Sequence, residues 1–177
     1  MADWNTAYNW MMDNEDAARA CAQVADASPE GVAGSCFAIS GINSGAWPVE
    51  FAAIAAADQA SREPRVQRFY QDHFWNYWLA HLNSDELCKR IFDFAVNGGS
   101  RTSVRCLQLA VNSFYHGNPL VEDGEWGPKT MAATNACNPA TLVAAFQQQR
   151  VAYCQAIVAA NPDKAICLNA WIARARK

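Results

Sequence analysis

Apolar residues recur at helical spacing along nearly the whole chain, and that rhythm most limits what it can fold into. Trp4, Ala7, Tyr8 and Met11 fall at i, i+3, i+4 and i+7, which predicts an amphipathic opening helix to about Ala20. Pro48 starts an Ala-rich helix over 49–60, and Pro64 opens an aromatic one reaching about His81. Ser84 caps a helix stopped by Gly98-Gly99, Ser100 begins another ending near His116-Gly117, and Pro128 opens a short one. Asn138-Pro139 begins a long helix to about Ala160, and a closing helix is expected from Pro162 to Arg174. Only the stretch from about Asp26 to Trp47, rich in Gly and Ser, breaks the pattern and reads as a β-hairpin or irregular loop. The expected fold is all-α, with at most one small hairpin near residues 26–47.

At 177 residues and 51% apolar content the chain is long enough to bury a core and is not disordered. Its net charge of −3 offers no basic field for nucleic acid or anionic lipid. No segment approaches the roughly 20 uninterrupted apolar residues of a membrane span, so no membrane insertion is expected. Asp3, Asp13, Glu15 and Asp16 stand where a secretory leader would be basic and then apolar. The expectation is synthesis in the cytoplasm, with work outside it reached through a phage holin or a specialised export route. Seven cysteines form no CxxC pair and the three histidines are scattered, so neither a metal nor a cofactor is expected. Cys21/Cys36 and Cys154/Cys167 are spaced to staple loops in an oxidising compartment, and buried free thiols are the alternative.

Glu15 lies toward the end of the opening helix, before a polar loop that carries Asp26 and Glu30. A carboxyl at a helix end facing a loop carboxyl suits glycoside hydrolysis, where one group protonates the leaving oxygen and the other handles water or the cationic sugar. Solvated charges on a helix and a loop are the ordinary alternative.

The second half supplies more specific motifs. Ile91-Phe92-Asp93-Phe94-Ala95-Val96-Asn97-Gly98-Gly99 resembles an "FD-x-AVN-x-G" helix end, and Cys106-Leu107-Gln108-Leu109-Ala110 an "LQ-x-A" segment. Glu122-Asp123-Gly124-Glu125-Trp126-Gly127-Pro128-Lys129-Thr130 is similar to "V-DG-x-x-GP-x-T", and Asn169-Ala170-Trp171-Ile172-Ala173-Arg174 to a terminal "GW-x-x-R". In this order and spacing they resemble glycoside hydrolase family one hundred and eight, lysozyme-like N-acetylmuramidases with a C-terminal peptidoglycan-binding-like segment. The likeness runs almost end to end. It implies a lysozyme-like catalytic region over 1–100 and a helical wall-binding segment over 101–177, packed as one compact monomeric unit.

The family's "EGGY" is reduced here to Glu15-Asp16-Ala17-Ala18, keeping only the glutamate. Its "DPGGATNYGIS" aligns with Glu30 to Ser40, placing Glu30 at the aspartate and Ser35 at the threonine, though farther from Glu15 than in the family. Asp26 is the competing second carboxylate. The resemblance implies that Glu15 is the acid acting on the β-1,4 bond between N-acetylmuramic acid and N-acetylglucosamine. Such an acid needs apolar neighbours to hold its proton near neutral pH, expected from Trp10 or Met11 and the aromatic 69–78 helix. Glu30 or Asp26 would stay ionised, and Ser35 would hold a water. Tyr70 and Trp75 are candidates to line the sugar cleft, although some of that aromatic helix must be core. Asn97 is a candidate for an N-acetyl contact, and Asp93, one turn earlier, either joins it or pairs with an arginine such as Arg90. The partner implied is the peptidoglycan glycan strand, met as a phage endolysin. An inactive wall-binding module, or the same fold acting on chitin or chitosan, stays open.

Overall fold

The computed structural model describes residues 1–28, 31–114 and 116–177. They are mostly helical, with one small sheet, and divide into two compact units: residues 8–75, and residues 1–7 with 76–177. The helix over 85–98 packs against the helices that follow it within the second of these units.

In the unit of residues 8–75, α1 (Trp4–Glu15) leads into an antiparallel sheet of β1 (Gln23–Asp26), β2 (Cys36–Ile39) and β3 (Ile42–Asn43). Gln23 pairs with Ile39 and Asp26 with Cys36, while Ala38 pairs with Asn43. The sheet starts earlier than the Gly/Ser-rich composition suggested, because β1 uses the residues just before Asp26. α2 (Pro48–Ala55) and α3 (Glu63–Phe74) follow, each with proline in its first turn, where a missing N–H is harmless. Met11, Met12, Ile39, Ile42, Val66 and Tyr70 are all at most 1% exposed and form this unit's core.

α1 stops five residues short of the expected Ala20. Asp16 still donates its amide to Met12 at 2.7 Å, but its carboxylate then accepts the amides of Ala20 (3.1 Å) and Cys21 (2.8 Å). A short acidic side chain that captures backbone amides competes with helix continuation. Arg19 and Cys21 turn the chain with φ of 52° and 47°.

The other unit begins with Met1–Ala7 and continues through α4 (Tyr77–Ala80), α5 (Asp85–Gly98), α6 (Ser100–Asn112), α7 (Pro128–Ala136), α8 (Pro139–Ala160) and α9 (Leu168–Arg176). The aromatic helix expected to reach His81 breaks at Trp75, which is extended, and the Asn76 side chain then accepts the amides of Trp78 and Leu79 to start α4. The Ser84 and Asn138 side chains cap α5 and α8, accepting from Leu87 and Thr141, where the sequence placed those caps. α6 ends at Asn112, not near His116, because the Asn112 side chain bonds both the amide and the carbonyl of Leu120. The closing helix is split into a 3₁₀ segment, Pro162–Cys167, and α9.

Phe92, Leu107, Ala110, Val111, Leu142 and Phe146 show no exposure and fill the space between α5, α6 and α8. Each of the larger side chains among them contributes about 1.5–3 kcal/mol relative to exposure. Asp93 sits in this core, 1% exposed, bonded to Arg150 on α8 (3.0 Å) and Arg174 on α9 (2.8 Å). The Arg150 guanidinium also lies 4.7 Å over the Phe94 ring. All seven cysteines are free, so neither Cys21/Cys36 nor Cys154/Cys167 is bridged. Among the described residues no helix is long and apolar enough to cross a membrane.

Candidate functional site

Glu15, the last residue of α1, is half-buried, and its carboxylate lies against the turn that joins β2 to β3. Gly41 forms that turn with φ of 82°. A β-carbon added there would stand 2.6 Å from Glu15 Oε2 and 2.9 Å from the Tyr70 hydroxyl. Only a glycine lets backbone, carboxylate and phenol approach so closely. Tyr70 comes from α3, is 1% exposed, and donates its hydroxyl to the Ser40 carbonyl at 2.7 Å. Its ring packs on Phe69 (5.1 Å) and Phe74 (6.0 Å). An aromatic wall from α3 thus stands beside Glu15.

Asp16, read from the sequence only as the residue replacing a glycine, is the organiser of this corner. Its carboxylate accepts the Ser40 hydroxyl at 2.7 Å as well as the Ala20 and Cys21 amides, and Arg19 donates to its carbonyl at 2.9 Å. Burial opposes the Asp16 charge, but the bonds from Ser40, Cys21 and Ala20 prevail and hold the carboxyl below its ordinary range. Arg19, Cys21 and Ser40 all have positive φ, a conformation costing about 1–3 kcal/mol each in non-glycine residues. The Asp16 bonds offset that strain, two of them directly to Cys21 and Ser40. Nearby, Tyr8 donates to one oxygen of Glu63 at 2.8 Å and the Cys21 thiol to the other at 3.2 Å. Burial, with the Glu63 carboxylate alongside, pushes the Tyr8 hydroxyl well above its ordinary value.

Asp26 ends β1 on the same sheet face as Asn43. One of its oxygens accepts the Ala27 amide and the other the Asn43 side-chain amide, each at 2.8 Å. Asn43 also donates to the Ala27 carbonyl at 2.7 Å and accepts the amides of Gly45 and Ala46. The sequence signal for this clamp is weak, since an Asx turn before Gly45 explains Asn43 equally well. Glu30, the other candidate for second carboxylate, lies outside the described residues. The Ser35 hydroxyl donates to the Val32 carbonyl at 2.5 Å and accepts the Ser28 amide at 3.0 Å, closing the loop in which it sits.

The remaining candidates are placed as follows. Trp75 is half-buried at the end of α3, its amide bonded to the Tyr70 carbonyl. Asn97 is exposed near the end of α5. Asp93 is in the core, and of the two roles open to it the structure shows an ion pair, with Arg150 and Arg174. Arg90 bonds Glu86 and the Lys177 carbonyl. Among the described residues no group of His, Cys, Asp and Glu is placed to hold a metal ion.

In the C-terminal unit, buried Gln108 connects two of the sequence motifs. Its side chain donates to Asp123 Oδ1 (2.8 Å) and to the Glu125 carbonyl (3.2 Å), and accepts the Gly124 amide (2.8 Å). Gly124 has φ of 74°, and a β-carbon there would come within 2.5 Å of the Arg101 carbonyl. The "LQ-x-A" segment therefore holds the Asp123-Gly124 turn.

With this geometry in view, residues 102–176 match the model of a family described as "Predicted Peptidoglycan domain". The chain is also similar in structure to SagA of Brucella abortus, with a TM-score of 0.63 and 18% sequence identity, over 97% of this chain and 92% of that one. The two share a fold, mostly helical with a small sheet. A comparison of the sequence with curated proteins finds no match.

Proposed function

We propose that this protein hydrolyses the glycan strands of peptidoglycan as a lysozyme-type N-acetylmuramidase, with Glu15 as the general acid. The observation that carries the proposal is the seat of Glu15, at a helix end against Gly41 and the Tyr70 wall, in a chain whose residues 102–176 match a peptidoglycan domain. The protonated Glu15 carboxyl gives its proton to the bridging oxygen as the bond to the sugar's anomeric carbon breaks. The second carboxylate, Asp26 or Glu30, takes a proton from the attacking water, and the sugar leaves as a hemiacetal. Inversion requires carboxyl separations of about 6.5–9.5 Å and retention about 5–5.5 Å. Asn43 favours Asp26 as the second carboxylate, because its side-chain amide fixes one Asp26 oxygen in place. Release to the wall during phage lysis is the setting this reading carries.

A wall-binding module without cleavage is the second reading. The Ser35 hydroxyl favours it, because its bonds to Val32 and Ser28 already engage the group that would hold a water. Purified peptidoglycan incubated with the protein decides between them. A muramidase releases soluble fragments with new reducing ends on N-acetylmuramic acid, whereas a binding module sediments with an intact polymer. Cleavage of chitin or chitosan oligomers in preference to peptidoglycan would move the substrate to another amino-sugar polymer.

A further inference from the structure

Outside the Glu15 corner, the unit of residues 1–7 and 76–177 holds a cleft of about 660 Å³ between α6, the loop over 117–127 and α8. Its volume falls in the range of small-ligand sites, roughly 300–1,000 Å³. Leu109 and Tyr153 give it an apolar floor, with the Tyr153 ring fixed edge-on to Phe94 at 5.7 Å. Four charged residues line it: Arg101 and Arg105 on one side, Glu122 and Asp123 on the other. The two arginines are four apart on α6 and so share a face.

Among the described residues no ion pair joins either arginine to Glu122 or Asp123. Arg105 is exposed, and its side chain makes no hydrogen bond or ion pair among the described residues. Arg101 donates Nε to the Asp123 carbonyl at 3.0 Å and stands 3.8 Å from Glu125. Glu122 accepts the Asn112 amide at 3.1 Å, and Asp123 is fixed by Gln108 and the Glu125 amide. The carboxylates are thus held in place by neutral donors, and Arg105 keeps its full hydrogen-bonding capacity.

A recess with fixed negative charge beside an uncommitted guanidinium repels a purely anionic polymer and gives a neutral sugar no counterpart for either charge. It suits a short chain bearing both signs. We infer that this cleft binds the peptide branch of peptidoglycan, a short peptide with free carboxylates and one free side-chain amine. Arg105 and Arg101 take a carboxylate, Glu122 and Asp123 take the ammonium, and Tyr153 and Leu109 cover the aliphatic part. The inference rests on the peptidoglycan reading above and names which portion of the polymer the C-terminal unit grips.

The test uses the full chain and the free tripeptide L-Ala-γ-D-Glu-meso-diaminopimelate, titrated by calorimetry or by amide chemical shifts. The tripeptide should bind, with shifts at α6 and α8. Arg105→Glu should weaken it by about tenfold or more while leaving the melting temperature in place. Acetylating the free side-chain amine should weaken it as well. Binding that is absent in the wild type, or unchanged in Arg105→Glu, overturns the assignment. Cleavage of peptide-stripped glycan strands is measured alongside. Cleavage without tripeptide binding refutes the cleft alone, and tripeptide binding without cleavage refutes the glycosidase reading while supporting the cleft.

Discussion

The Glu15 carboxylate rests on Gly41, so closely that a single added methyl group would stand 2.6 Å from Oε2. This contact is a point of weakness that can be tested. In Gly41→Ala the flexible end of Glu15 must swing away, and the Tyr70 hydroxyl with it. The left-handed backbone adds a stability loss of about 1–3 kcal/mol. Activity should fall further than stability does, by about a hundredfold, since small displacements of a reacting group are that costly. Urea unfolding beside a cleavage assay checks both. Full activity in a destabilised variant would detach Glu15 from the chemistry.

Asp16 predicts an acid-side pH dependence. Its carboxyl titrates below its ordinary 3.8 in the folded protein, because the Ser40, Cys21 and Ala20 bonds outweigh burial. The stability it contributes is therefore complete above its ordinary value and is lost as pH falls through the lowered one, below about pH 4. Asp16→Asn should be less stable at neutral pH and should lose part of the wild-type slope below about pH 4. Parallel stability–pH curves for the two proteins would contradict this.

Asp93 carries a different prediction. It is buried between Arg150 and Arg174, so Asp93→Ala leaves two guanidinium groups without their carboxylate, one of them only 3% exposed. Removing one partner of such a network costs about 3–5 kcal/mol. Urea unfolding of the variant measures it, and a loss below about 1 kcal/mol would show that the network is dispensable.

Much of the helical layout was legible because caps and prolines are local signals. Ser84, Asn138, Pro48 and Pro64 do in the fold what their spacing suggests. The 15/16 boundary was not legible, since the turn in which Asp16 captures the Ala20 and Cys21 amides is held by a bond from Ser40, twenty-four residues away. The break at Trp75-Asn76 was hidden because an asparagine that restarts a helix looks like any polar residue in an aromatic run. At the candidate site, Glu15 and Tyr70 were both named from the sequence, and their meeting across Gly41 depends on tertiary packing. Asp93 illustrates the opposite case: a motif position that invites a binding role and is filled by two core ion pairs. Asn43 carried only a weak turn signal until β3 placed it beside Asp26.

The thiols offer a prediction independent of function. Cys21, Cys88, Cys106, Cys137 and Cys154 are buried, while Cys36 and Cys167 are partly exposed. Burial raises the Cys106 thiol to about 11 and pushes Cys88 higher still, which suppresses the reactive thiolate. A colorimetric thiol reagent should modify Cys36 and Cys167 first, and the other five only on unfolding. Rapid reaction of all seven under native conditions would contradict the packing described above.

The most direct test of the central claim is the loss of turbidity of a purified peptidoglycan suspension, with wild-type protein beside Glu15→Gln at equal concentration. Glutamine keeps the shape of the side chain but cannot serve as a carboxylic acid. The account predicts clearing and new reducing ends with the wild type, and neither with Glu15→Gln, which still sediments with the polymer. Equal clearing by the two would contradict it and place the acid elsewhere.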